Sequence, residues 1–253
     1  MLESLHGIVK QSKFKVVEIM TPWNRVQVEA YSSDAFQKCS YWLGIYDYIP
    51  LDGTGSVKGL LSLESGELLP LDDLLVKPSS HLLEAFRIAT NYSNGKPSAL
   101  IVGSSRDPEG IITHSDLNKQ LFRIMLYTVF MTLETRLSSL ISSAGPVDWW
   151  RSCLGRDSLA EIDERYMSEQ KSRVEIDKLS CSHFSDKITI VRKTEELRLK
   201  LGITRPKSLA SLVRWRNQLV HPTHPPRLIF TKEDLVSLLS CALTAESILS
   251  RLD

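Results

Sequence analysis

A chain of 253 residues has room for one large or two modest domains, and 42% hydrophobic with 24% charged residues is the make-up of an ordinary globular protein. No apolar run approaches the roughly 20 residues that span a bilayer, and Met1 to Lys15 lacks a signal-peptide core, so a cytoplasmic protein is expected. The net charge is only +1, and four scattered cysteines (Cys39, Cys153, Cys181, Cys241) argue against a zinc site or a disulfide framework.

In chain order, the N-terminal half alternates short β-like runs with helical ones. Residues 15–22 read as a strand, Ser33 to Trp42 as a helix with Ser33 or Asp34 near its cap, and Gly44 to Ile49 and Val57 to Leu63 as strands around a turn at Asp52-Gly53-Thr54-Gly55. The order then recurs. Leu69 to Val76 opens a second unit, Ser79 to Asn91 reads as a helix, and Ala99 to Val102 and Gly110 to Thr113 read as strands. Asp116 starts a helix.

From Leu117 onward, strand-like alternation nearly disappears. Leu121 to Ile141 is a long amphipathic segment, broken by Ser142-Ser143-Ala144-Gly145-Pro146. Asp148-Trp149-Trp150 opens another helical stretch, and the paired tryptophans read as core anchors in preference to base-stacking platforms. Asp157 to Lys178 is charged and reads as an exposed helix or an insertion. His183 to Leu201 is helical by period, with Gly202 in the place of a C′ glycine. Ser208 to Val220 is a further helix, Pro222, Pro225 and Pro226 mark a loop, and Thr231 caps a last helix, Lys232 to Leu252.

The two halves differ in charge. Residues 1–121 hold 11 Lys/Arg against 14 Asp/Glu, net −3, and residues 122–253 hold 20 against 16, net +4. Lys187 to Arg216 contains nine basic and two acidic residues. A solvated helix face is one reading of such a run and a polyanion partner the other.

That run leads into Arg216-Asn217-Gln218-Leu219-Val220-His221-Pro222. Asn217 and His221 are four apart and share a helical face, and Pro222 places the imidazole at the last turn. A titratable His, a permanent cation and an amide at one helix end could bind a phosphate and move its protons. The pattern resembles the Arg-x4-6-His motif of HEPN-domain ribonucleases, over roughly Arg123 to Asp253. The resemblance implies a metal-independent endoribonuclease in which the RNA 2′-hydroxyl attacks its own phosphate, His221 moves a proton, Arg216 stabilises phosphate charge and Asn217 orients the phosphate or the His. It also implies a homodimer, since the family pairs two motifs at one cleft, and an association with toxin or phage-defence systems; a neutralising partner protein is compatible with the sequence.

The duplicated N-terminal half resembles a CBS-domain pair. The best match is Pro108-Glu109-Gly110-Ile111-Ile112-Thr113-His114-Ser115-Asp116-Leu117, like that family's strand–Thr-x-x-Asp–helix signature. The resemblance implies an adenine or signalling nucleotide as regulatory ligand, bound by Gly110, Thr113 and Asp116, with Asp116 on ribose hydroxyls and Thr113 near the phosphate; Thr113 and Asp116 could equally cap the next helix. Ser65 stands where the first unit would carry the Asp.

The expected architecture is therefore α+β in two domains: an α/β CBS pair over residues 1–121 and an all-helical HEPN-like bundle over residues 122–253. A non-catalytic nucleotide sensor, with the helical half as a dimerisation, RNA-binding or partner-binding module, is the alternative. Two further residues carry bland readings: Glu134 as an intrahelical or surface charge in preference to an anchor for Arg216, and His224 as a solvent-facing loop residue.

Overall fold

The computed structural model describes residues 15–43, 46–71, 74–80, 82, 85, 99–113, 116, 119–172, 175–220 and 232–252. The helix expected over Ser79 to Asn91 falls largely outside this set, as do His221, His224, the proline loop and Thr231. The architecture is mixed α+β. By contact, the described residues form two compact units: 15–125 with 232–239, and 126–220 with 240–252.

The first unit holds two four-stranded sheets. Its strands are β1 (Thr21–Pro22), β2 (Glu29–Ala30), β3 (Tyr48–Gly53), β4 (Ser56–Ser62), β5 (Leu68–Pro70), β6 (Leu75–Val76), β7 (Leu100–Gly103) and β8 (Pro108–Ile112), with helix α1 (Ala35–Cys39) between β2 and β3. One sheet runs β2-β3-β4-β5, the other β1-β8-β7-β6. Each contains a short strand parallel to the next, then an antiparallel hairpin, then an antiparallel edge strand.

The duplication reaches individual residues. The β3–β4 ladder shifts register between Leu51 and Asp52, and the β7–β8 ladder between Val102 and Gly103. Gly59 pairs with Leu51 and Pro70, and Gly110 with Val102 and Pro22. A Cβ at Gly59 would lie 2.5 Å from the Leu69 carbonyl oxygen, and one at Gly110 would lie 2.6 Å from that of Thr21. Both glycines are therefore required by the close approach of an edge strand, and the opposing prolines lie on those edges, where a missing N–H is tolerated.

Three expectations for this half need correction. Residues 15–22 are not one strand: Val16–Glu18 is a 3-10 turn followed by Ile19, with Val16 and Ile19 buried three residues apart, and the strand is Thr21–Pro22 alone. The strand expected over Gly44 to Ile49 begins at Tyr48 and continues to Gly53. Leu69 to Val76 does not act as one opening element, because β5 closes the first sheet and β6 opens the second.

The second unit is helical: α2 (Gln120–Ser143), whose first residues group with the other unit, α3 (Arg156–Lys171), α4 (Phe184–Lys193), α5 (Glu195–Lys200), α6 (Leu209–Val220) and α7 (Lys232–Leu249), which is likewise shared. Along α2, Leu126, Val129, Phe130, Leu133, Leu137 and Ile141 are buried at three- and four-residue spacing, one stripe of the helix. Trp149 Nε1 donates to the Ile141 carbonyl at 2.8 Å, capping a terminal carbonyl of α2, and Trp150 is buried. Helix α3 is exposed, with Ile162 its one buried residue.

The helix expected over His183 to Leu201 is interrupted at Thr194, whose backbone is extended. Gly202 does end α5: at φ +63 it donates to the Leu199 carbonyl while Ile203 donates to that of Arg198, a Schellman motif.

Helix α2 corrects the bilayer expectation. It is the one helix among the described residues long and apolar enough to cross a membrane, with mean hydropathy 1.2 in its most apolar window. Half of that window is buried inside the protein, as in a core helix.

Candidate functional site

Arg216 lies in the C-terminal half of α6, four residues before its end at Val220, on a helix held down by buried Leu209, Leu212, Trp215 and Leu219. That stripe turns Arg216 partly inward, leaving its side chain 19% exposed, whereas Asn217 is exposed. The Arg216 Nη2 donates to Glu134 Oε2 at 3.0 Å. Glu134 Oε1 in turn accepts from Lys187 Nζ at 3.3 Å, and Lys187 also donates to the Ser182 carbonyl at 2.8 Å. The Arg216 guanidinium lies 6.0 Å from the Phe184 ring, at the outer limit of a cation–π contact.

Three helices thus converge on one carboxylate: α2 brings Glu134, α4 brings Lys187 and α6 brings Arg216. Glu134 is 15% exposed, and Lys187, at 2%, is fully enclosed. Enclosure lowers the Lys187 pKa, and the Glu134 carboxylate opposes that shift. The Arg216 Nη groups are not fully used, since Nη1 reaches Asn217 Oδ1 only at 3.4 Å, whereas Nε is enclosed with no partner among the described residues. The two motif residues in view, Arg216 and Asn217, are therefore adjacent and joined; His221, the third, follows Val220 outside the described residues.

Glu134 was legible in the sequence only as an unfavoured alternative. Its polar neighbours Thr135 and Arg136 mark a solvent face, and nothing local announces partners 53 and 82 residues away. Of the nine basic residues in the 187–216 run, Lys187 is fully buried and Arg198 and Arg216 are half-buried. Arg192, Lys193, Lys200, Arg205, Lys207 and Arg214 are all exposed.

The other candidate site lies wholly in the sheet unit. Thr113 follows β8, and its backbone N–H donates to Asp116 Oδ2 at 2.7 Å and its hydroxyl to the same oxygen at 3.1 Å. Asp116 Oδ1 accepts from the Thr21 hydroxyl at 3.0 Å and pairs with Lys119 Nζ at 2.7 Å. The Lys119 ammonium also donates to the Ile19 carbonyl. The Asp116 side chain is only 4% exposed, and its carboxylate already has four donors. A ribose would have to displace Lys119 or Thr21 to reach it.

Gly110, Thr113 and Asp116 are brought together. Thr113 and Asp116 help line a cleft of about 250 Å³ with Arg25, Tyr46 and Tyr48. That is just under the roughly 300–1,000 Å³ of sites that enclose a drug-sized ligand. Gly110 serves the strand pairing described above. In the first repeat Ser65 donates its N–H to the Ser62 hydroxyl, the reverse of the Thr113–Asp116 arrangement, and the chain then reverses into β5.

Among the described residues, no group of three or more His, Cys, Asp or Glu side chains is placed to hold a metal ion. Comparison of the chain with models of protein families, with curated proteins and with solved structures gives no match.

Proposed function

We propose that the chain is a metal-independent endoribonuclease of the HEPN type whose activity answers to a nucleotide bound by a CBS-like sheet unit. The observation that carries the reading is the Glu134–Arg216 pair, with Arg216 on α6 five residues ahead of His221 in the sequence. A guanidinium anchored on a carboxylate, with donors to spare, is suited to the charge that builds on a phosphate under attack. The exposed basic residues of the same unit favour a polyanion substrate.

In the proposed reaction a 2′-hydroxyl loses its proton to one His221, and its oxygen attacks the adjacent phosphorus. Arg216 stabilises the pentavalent phosphate and Asn217 orients it. The P–O5′ bond breaks, the leaving oxygen takes a proton from a second His221, and the products are a 2′,3′-cyclic phosphate and a 5′-hydroxyl. Each chain offers one motif, so the two proton-transfer groups come from a homodimer. The regulatory ligand is an adenine or signalling nucleotide at Asp116, four residues before α2 begins. By analogy with the HEPN family, the setting is a cytoplasmic toxin or antiviral effector held by a neutralising partner protein.

The repeated strand order, the paired glycines and the Thr113–Asp116 turn support the CBS-like half of this reading. The saturation of Asp116 favours a second reading for that half alone, in which the carboxylate is a structural cap and the sheets are a dimerisation platform. RNA cleavage in EDTA by wild type, Arg216→Ala and His221→Ala tests the catalytic reading. Loss in both variants with retained helix content supports it, and a His221→Ala protein that cuts like wild type overturns it.

A further inference from the structure

Among the described residues Lys187 is the only lysine or arginine in the buried class. Burying an ammonium is costly, and a methionine of similar volume would fill the same space without that cost. What methionine cannot supply is a charge on Glu134. The Glu134 carboxylate divides its oxygens, Oε1 to Lys187 and Oε2 to Arg216. A carboxylate facing a guanidinium alone prefers the two-pronged arrangement, with both oxygens on two guanidinium nitrogens. Lys187 occupies the oxygen that this arrangement would use.

We infer that Lys187 is a positioning residue that keeps Glu134 from neutralising Arg216, so that the cluster anchors the guanidinium and still presents a surplus positive charge to an anionic ligand. The inference rests on the reading of Arg216 as the cation for an RNA phosphate. The groups that face Lys187 bear the surplus out. Glu134 on α2 is the one carboxylate shared with Arg216 on α6. Asp186, on Lys187's own helix, directs its carboxylate to the His183 N–H at the start of α4, where the helix end balances it. Asp186 still acts on Lys187 through space, but the carboxylate that both cations touch is that of Glu134 alone.

The charge state of Lys187 gives the device a pH signature. Its pKa is lowered by enclosure, so its charge is present at low pH and is lost as pH rises, earlier than for a lysine in water. Once Lys187 is neutral, Glu134 is free to close on Arg216 with both oxygens.

The test is binding of a short 2′-O-methyl oligoribonucleotide, which cannot be cut, to the full chain in EDTA across a range of pH. Lys187→Met is expected to bind roughly tenfold more weakly than wild type. Glu134→Gln combined with Lys187→Met, which removes both the neutralising anion and its counter-ion, is expected to recover most of that loss. Wild-type affinity is expected to fall on the alkaline side below the ordinary lysine range, and Lys187→Met to lack that limb. If Lys187→Met fails to fold, the wild-type alkaline limb decides: an affinity that stays flat up to the ordinary lysine range overturns the inference. A double variant that binds more weakly than Lys187→Met also overturns it, because loss of packing alone gives losses that add. If wild type binds and Lys187→Met matches it, only the role of Lys187 falls. A wild type that binds no oligonucleotide at any pH overturns the ribonuclease reading, and the role of Lys187 with it.

Discussion

Two carboxylates, one in each unit, are used in opposite ways. Asp116 is satisfied by neighbours close in sequence, Thr113 and Lys119, with Thr21 added across the sheet. Glu134 is satisfied by Lys187 and Arg216, 53 and 82 residues away. The first carboxylate finishes a turn and has little capacity left for a ligand. The second ties three helices together and leaves a cation, Arg216, with donors to spare. A carboxylate that looks like a binding residue can be a cap, and one that looks like a surface charge can be the anchor of a site.

The sharpest way to break this contrast is to remove the motif itself. Arg216→Ala and His221→Ala are each expected to lower RNA cleavage by about 100-fold or more, the scale of a lost charge stabiliser or proton-transfer group. Circular dichroism should show the helix content of both variants unchanged. Retained cleavage in His221→Ala, or a melted helix, would contradict the assignment.

The anchor comes next. Glu134→Gln leaves Lys187 enclosed without its counter-ion, and breaking such a pair from one side costs roughly 3–5 kcal/mol. The low end is expected, because the amide oxygen still accepts a hydrogen bond. Urea titration reads the loss, and cleavage should fall with it when measured well below the unfolding transition. An unchanged urea midpoint would show that the three-helix cluster contributes nothing to stability.

Asp116→Ala should cost less, about 1–2 kcal/mol for a lost cap and its hydrogen bonds. Calorimetry with adenine mono-, di- and triphosphates and with cyclic and oligomeric adenylates separates its two roles. Binding to wild type that Asp116→Ala abolishes supports the sensor. No binding by any of them leaves Asp116 as a cap and the sheet unit as a platform. Asn217→Ala is expected to give the smallest effect, under about tenfold in cleavage, because the Asn217 side chain is exposed and its bond to Arg216 is long.

How much of this was legible in the sequence follows from range. The C′ glycine at Gly202, the hairpin turn near Thr54-Gly55, the breaker after Ser143 and the turn from Thr113 to Asp116 are decided by a few neighbouring residues, and their positions could be read directly. The recurrence of the strand order was legible because the same hydrophobic pattern returns. The division of Leu69 to Val76 between two sheets was not, since which neighbour a short strand pairs with is decided by the whole sheet. The break at Thr194 was likewise hidden, because the apolar period continues through it. At the candidate site, spacing alone points to Arg216 and Asn217, whereas Lys187 sits in a basic run open to a solvated or a polyanion-facing reading and Glu134 reads as a surface charge, because burial of a charge is fixed by distant partners that no local pattern encodes.

The central claim is tested most directly by the fate of one phosphodiester. An RNA oligonucleotide incubated with the wild-type chain in EDTA should yield a 2′,3′-cyclic phosphate and a 5′-hydroxyl, read by mass spectrometry. A single 2′-deoxy substitution at the cleaved position should stop the reaction there. Intact RNA, cleavage that requires a divalent metal, or cleavage that persists through the 2′-deoxy position would each contradict the account.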